Sequence, residues 1–238
     1  MVWWIIAAFL SYFVKGLCGF ANALVFSSIL SFTAQTQAIS PTDLLLGYPT
    51  NLIMVWQERR AVRWKLCLPL AALMLAGSIP GVLFLKNTDG RVLKIFFGFV
   101  IAFLGAEMLY QEWKPSHRAL PRFLLPVIGV LSGLLCGLYG VGALMGLFIS
   151  RITEDSHEFK ANLCIVFWLE NTLRIILYAC WGILTPAILR RALLLSPFML
   201  AGLWLGMRAA RRLDEQRIKR LVIVLLIFSG IALILTNF

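Results

Sequence analysis

The sequence predicts an all-α polytopic membrane protein, and three observations carry that reading. Of the 238 residues, 61% are hydrophobic and only 14% are charged, too little polar surface to cover a soluble globule of this length. The apolar residues fall into runs, several of which reach the roughly 20 residues that one bilayer crossing needs. Two gaps between runs, at 16–24 and 137–145, repeat one pattern: Gly-Leu-x-Gly followed by small and apolar residues.

The first run, 2–14, leads through Lys15 into Gly16-Leu17-Cys18-Gly19-Phe20-Ala21-Asn22, and a second run occupies 20–34. Met1-Val2-Trp3-Trp4 lacks the basic start of a secretory signal, so residues 1–34 read as retained. Runs at 42–57, 66–85 and 92–110 follow, and each is read as a membrane helix. The series then restarts with 123–136, the second break at Gly137-Leu138-Tyr139-Gly140-Val141-Gly142, and 141–150. Runs at 159–181, 188–207 and 217–236 complete it. Six runs are expected to span. The four that flank the breaks would reach only about 15 to 22 Å at 1.5 Å per residue, and they read as half-helices.

Lysine and arginine decide whether each broken pair crosses or re-enters. If both pairs are re-entrant hairpins, fifteen of the 22 basic residues lie on one side, in the loops 59–65, 114–122, 151–160 and 208–220. Five lie on the other: Lys86, Arg91, Lys94, Arg190 and Arg191. A crossing second pair would divide them nine against eleven and erase the asymmetry. The net charge of +11 is therefore a record of topology rather than of nucleic-acid binding, because the basic residues sit between apolar runs and not along one solvated face.

The hairpin reading gives six crossings, both termini outside, and two membrane repeats, 1–113 and 120–238, joined by a linker at 114–119. Each repeat is a glycine-broken re-entrant hairpin plus three helices. Three crossings is an odd number, so the second repeat is inverted, a common plan in secondary transporters. Other correspondences keep the same order. Gly77-Ser78-Ile79-Pro80-Gly81 matches Gly202-Leu203-Trp204-Leu205-Gly206, both small-xxx-small faces. Asn51 matches Asn171, and Arg91–Lys94 matches Arg217–Arg220.

Candidate site residues follow from the breaks and from charges at membrane depth. A half-helix that starts just after a break exposes unpartnered N–H groups and a positive dipole end, which suit an anion. Gly19-Phe20-Ala21-Asn22 and Gly140-Val141-Gly142 are therefore expected to cradle an anion jointly, the alternative being that these glycines only pack helices. Ionisable groups inside a membrane are functional candidates. Arg174 is three residues after Asn171 and four after Glu170, so all three share one helix face. Its fork could hold two oxyanion oxygens, with Glu170 neutralising it when empty or carrying a coupled proton. A permanent Glu170–Arg174 structural pair is the alternative. Lys15 is expected to add positive potential, or else to snorkel to the headgroups. Asn51 and Asn171 are expected to donate amide hydrogens to the anion, or to cap unwound backbone. Asp43, like the other aspartates, reads as the end of an apolar run. The cysteines, five in number and without a Cys-x-x-Cys pair, read as small core residues, and no metal or other cofactor is expected.

The paired glycine breaks, the Asn51-bearing helix followed by Trp56-Gln57-Glu58-Arg59-Arg60, and the four-element repeat together resemble the sulfite exporter TauE/SafE family of bacterial inner-membrane transporters. The resemblance implies transport of small sulfur-containing anions, sulfite or organosulfonates, by a carrier that pairs into a homodimer. An enzyme is not expected: His117 and His157 are the two histidines, both in loops, and no nucleophile–base or metal-ligand cluster stands out. An anion channel, or a carrier for a small carboxylate, remains the alternative. No Gly-x-x-x-x-Gly-Lys-Ser/Thr loop occurs, so coupling must come from an ion gradient or from the substrate's own gradient.

Overall fold

The computed structural model of the chain describes residues 1–113, 124–149, 152–153 and 156–210, with isolated positions between 224 and 235. The linker expected at 114–119 and nearly all of the run expected at 217–236 lie outside the described residues. Among these residues the chain forms α1 (Val2–Cys18), α2 (Asn22–Leu30), α3 (Thr36–Gln57), α4 (Trp64–Asn87) and α5 (Gly90–Trp113). These are followed by α6 (Leu124–Tyr139), α7 (Ala143–Ile149), α8 (Ser156–Cys180) and α9 (Pro186–Ala209). A 3-10 turn at Arg59–Ala61 joins α3 to α4. The apolar runs and the helices agree closely, since helix is the form in which a chain in lipid satisfies its own backbone polar groups.

Both breaks are real helix ends. Gly19 closes α1 in the left-handed region, φ 87°, with its N–H bonded to the Lys15 carbonyl at 2.7 Å. Ala21 precedes α2 at φ 72°, and Gly140 ends α6 at φ 75° with its N–H on the Cys136 carbonyl, 2.8 Å away. α2 and α7 are half-helices of nine and seven residues.

Three helices among the described residues are long and apolar enough to cross a membrane: α4, nearly all of α8, and α9. α3, at 22 residues, has comparable length. It carries Ser40, Asp43, Thr50 and Asn51 on buried positions and packs them against α1, α2 and α8.

The packing crosses the two halves over. α1 lies against α9, and α4 lies against α6. Glycine makes both crossings close. A Cβ on Gly16 would strike the backbone of Leu203 and Met207, and one on Gly206 would strike the Phe13 carbonyl and approach Gly16 itself. At the other crossing, a Cβ on Gly81 would meet the Leu134 carbonyl and Gly137, and one on Gly137 would meet the Ser78 carbonyl. Between these crossings α3 and α8 pack against one another: Ser40 is 3.1 Å from the Tyr178 hydroxyl and Tyr48 stacks on Trp168. The first glycine of each break thus serves packing, while Gly19 and Gly140 turn the chain.

Candidate functional site

The two breaks, α3 and α8 line a partly open cavity of about 30 Å³, enough for two or so water molecules. Ten of the twelve residues singled out in the sequence line it: Lys15, Phe20, Ala21, Asn22, Asn51, Gly140, Val141, Gly142, Asn171 and Arg174. Gly19 does not; its carbonyl faces Cys164 and its α-carbon the Lys160 side chain. Glu170 is the other exception and stands behind Arg174.

Lys15 comes from the last turn of α1, yet its ammonium does not snorkel. The residue is 2% exposed, and Nζ donates to Thr50 Oγ1 at 2.9 Å and Asn51 Oδ1 at 2.6 Å. Arg174 donates through Nη2 to Asn171 Oδ1 at 2.8 Å and through Nη1 to the Cys136 carbonyl at the end of α6. A guanidinium there meets the negative end of that helix. Its Nε has no hydrogen-bond partner and lies 3.6 Å from Glu170 Oε1. Glu170 in turn accepts from the Ser78 hydroxyl at 2.7 Å and the Cys136 thiol at 3.3 Å. The fork expected to face an oxyanion is therefore committed to protein acceptors in this conformation, and the pair with Glu170 is formed.

The two asparagines have a common orientation with a physical cause. Ammonium and guanidinium are donors only, so Asn51 and Asn171 must turn their amide oxygens to Lys15 and Arg174. Both residues line the cavity, and no hydrogen bond among the described residues takes their NH₂ groups. Asn22 differs: its NH₂ is 3.2 Å from both oxygens of Asp43.

Asp43 is the residue that the sequence reading passed over, and its assignment to a run end is corrected here. It lies in the second turn of α3, 3% exposed, and lines the cavity. The Tyr12 hydroxyl donates to Asp43 Oδ1 at 2.9 Å. The polar stretch before residue 42 hid the first turns of α3. A usable signal was present: Asp43 shares a helix face with Gly47, Thr50 and Asn51, at intervals of four, seven and eight. Of the cysteines, Cys67, Cys136 and Cys164 are buried and free as expected, whereas Cys180 is exposed. No metal-ligand cluster occurs among the described residues.

The model of the family described as "Sulfite exporter TauE/SafE" matches residues 4–233, nearly the whole chain. The chain belongs to the sulfite exporter TauE/SafE family. That makes it a membrane transporter and not an enzyme. It is also similar to the probable inner membrane transporter protein TsaS of Comamonas testosteroni, 25% identical over 192 residues that cover 80% of each chain. No solved structure matches the chain.

Proposed function

We propose that this protein is a secondary transporter that moves small sulfur-containing anions, sulfite or organosulfonates, across the bacterial inner membrane by alternating access. The observation that carries the reading is the convergence of both glycine breaks, two buried cations and two asparagines on one cavity in a member of this family. The inner-membrane location is supported by the name of the TsaS relative and by the apolar helices.

Two inverted repeats, 1–113 and 120–238, with both termini outside, are part of the proposal. They are supported by the crossed packing: α1 on α9 is matched by α6 on α4, the partners expected if α1 corresponds to α6 and α4 to α9. The glycine pairs agree, Gly16 meeting Gly206 where Gly137 meets Gly81. A homodimer belongs to the same reading and is checked by light scattering of the purified protein.

In this reading the anion enters between the breaks and takes the NH₂ groups of Asn51 and Asn171 with the N–H groups of residues 20–22 and 141–142. Lys15 and Arg174 supply the positive field. Glu170 neutralises Arg174 in the empty carrier, and coupling to a proton, for which the sequence nominates Glu170, completes the cycle. Only interactions that differ between inward- and outward-open forms do work in such a cycle, so the committed partners of Arg174 describe one form and must exchange in the other.

Counterflow in proteoliposomes tests this. With unlabelled sulfite or methanesulfonate inside, labelled anion is expected to enter saturably and faster than into empty vesicles, and Arg174→Gln is expected to slow it at least about tenfold, the loss of one charge-assisted hydrogen bond. Flux that neither saturates nor responds to internal anion identifies a channel. Uptake of small carboxylates alone moves the substrate class.

A further inference from the structure

We infer that Asp43 is the proton site of this carrier, loading one proton with each anion that enters the cavity. The inference rests on the transport reading above and names the group that couples it.

The argument begins with charge. The site holds two cations, Lys15 and Arg174, and two acids, Asp43 and Glu170, all buried. Lys15 and Arg174 balance Asp43 and Glu170, so an arriving monoanion leaves one uncompensated negative charge at membrane depth, which is expensive. A proton on one of the two acids removes it.

The structure separates the two candidates. Glu170 accepts from Ser78 and Cys136, pairs with Arg174, and is not part of the cavity wall. Asp43 lines the cavity and makes no ion pair among the described residues. The charged groups acting on it are Lys15 of α1 and Arg174 of α8; Tyr12 of α1 and Asn22 of α2 are bonded to it. Cys136 of α6, which bonds Glu170, Cys164 of α8 near Lys15, and Tyr178 of α8 beside Arg174 are the other titratable groups of the site.

Its position relative to Gly140 shows what the proton would do. A Cβ on Gly140 would stand 3.5 Å from Asp43 Oδ2 and 3.6 Å from Arg174 Nη1, in space that the glycine leaves open between them. An anion drawn to Arg174 through that space meets Asp43. Ionised, Asp43 is an acceptor only and repels it; protonated, the same carboxyl donates an O–H to it. The proton comes from water on the side where the anion enters, forms an O–H bond at Asp43, and leaves to water on the other side. One proton and one anion cross together.

The experiment compares Asp43→Asn, Asp43→Glu and Glu170→Gln with wild type in proteoliposomes. Methanesulfonate is the probe, because it stays a fully ionised monoanion across the pH range used, whereas sulfite titrates itself. Wild type is expected to accumulate the probe when the outside is made acid. Asp43→Asn is expected to lose that accumulation at least about tenfold, and the rate of any counterflow it keeps no longer varies with pH. Asp43→Glu, which keeps a titrating group, is expected to restore accumulation.

Accumulation kept in Asp43→Asn overturns the inference, and so does accumulation lost in Glu170→Gln but kept in Asp43→Asn. Loss of accumulation in Asp43→Asn and in Asp43→Glu alike also overturns it, since a site that needs only a titrating carboxyl must work with either acid. Wild-type counterflow indifferent to a pH gradient sinks the inference and leaves the transport reading intact. No wild-type counterflow with sulfite or methanesulfonate sinks that reading itself.

Discussion

Lys15 spends its charge on Thr50 and Asn51, 35 and 36 residues away. Replacing it by methionine leaves Asn51 free to rotate and removes one cation from the cavity. Hydrogen bonds to charged groups contribute about 1.5 to 3 kcal/mol, so Lys15→Met is expected to weaken anion binding by roughly 10- to 100-fold, measured as the half-saturation of counterflow. An unchanged half-saturation with normal expression would assign Lys15 to structure alone. Ala21 is a second residue-scale case. Its φ of 72° places an L-residue where glycine is at ease, at a cost of about 1 to 2 kcal/mol. Ala21→Gly is expected to hold or raise the melting temperature, and Ala21→Val to lower it, because a β-branched side chain fits that backbone worst. The charged and amide residues here were legible in the sequence because polar groups stand out in apolar runs. The spacing also put Glu170, Asn171 and Arg174 on one face, but what Lys15 and Asp43 bond to was not legible, since those partners come from chain distant in sequence.

At the scale of elements, the helix crossings divide labour with the breaks. Gly81 and Gly206 let α4 approach α6, and α9 approach α1, until backbone touches backbone. Without a hydrophobic drive between helices in lipid, such close packing is a main source of association. Gly81→Ala and Gly206→Ala are each expected to lower stability by about 1 to 3 kcal/mol through overpacking, read as a fall in the melting temperature of detergent-purified protein, with counterflow kept at low temperature. Equal stability in both would show that the helices slide apart at no cost. The small-xxx-small pattern was visible in the sequence, and so was its recurrence. Which helix each face meets was not: hydropathy encodes depth in the membrane, whereas the partner is selected by shape.

For the whole molecule, the link between α3 and α4 is clasped to the start of α8. His157 lies 2.9 Å from Glu58, and Arg63 pairs with Glu158. Asn162 accepts from the Arg63 N–H at 2.7 Å and the Cys67 thiol at 3.1 Å. If the halves rock about the cavity, this clasp must open whenever the carrier opens on that face. Asn162→Ala, in protein with serine at Cys18, Cys136, Cys164 and Cys180, is expected to raise the labelling rate of Cys67 by a water-soluble thiol reagent several-fold. Addition of transported anion is expected to change that rate. Labelling insensitive to both would argue against opening on that face.

The sequence by itself determined that the chain is an α-helical membrane protein, where its two breaks fall, and which buried cations and amides are exceptional, because the cost of placing polar groups in lipid writes these features into composition and spacing. Only the tertiary structure decided that Lys15 and Arg174 each bond an asparagine lining a common cavity, that Glu170 stands behind the wall, and that Asp43 faces it. Those facts depend on α1 crossing to α9 and α6 to α4, a choice made by the fit of glycine surfaces across distant chain, which no local pattern of polarity records.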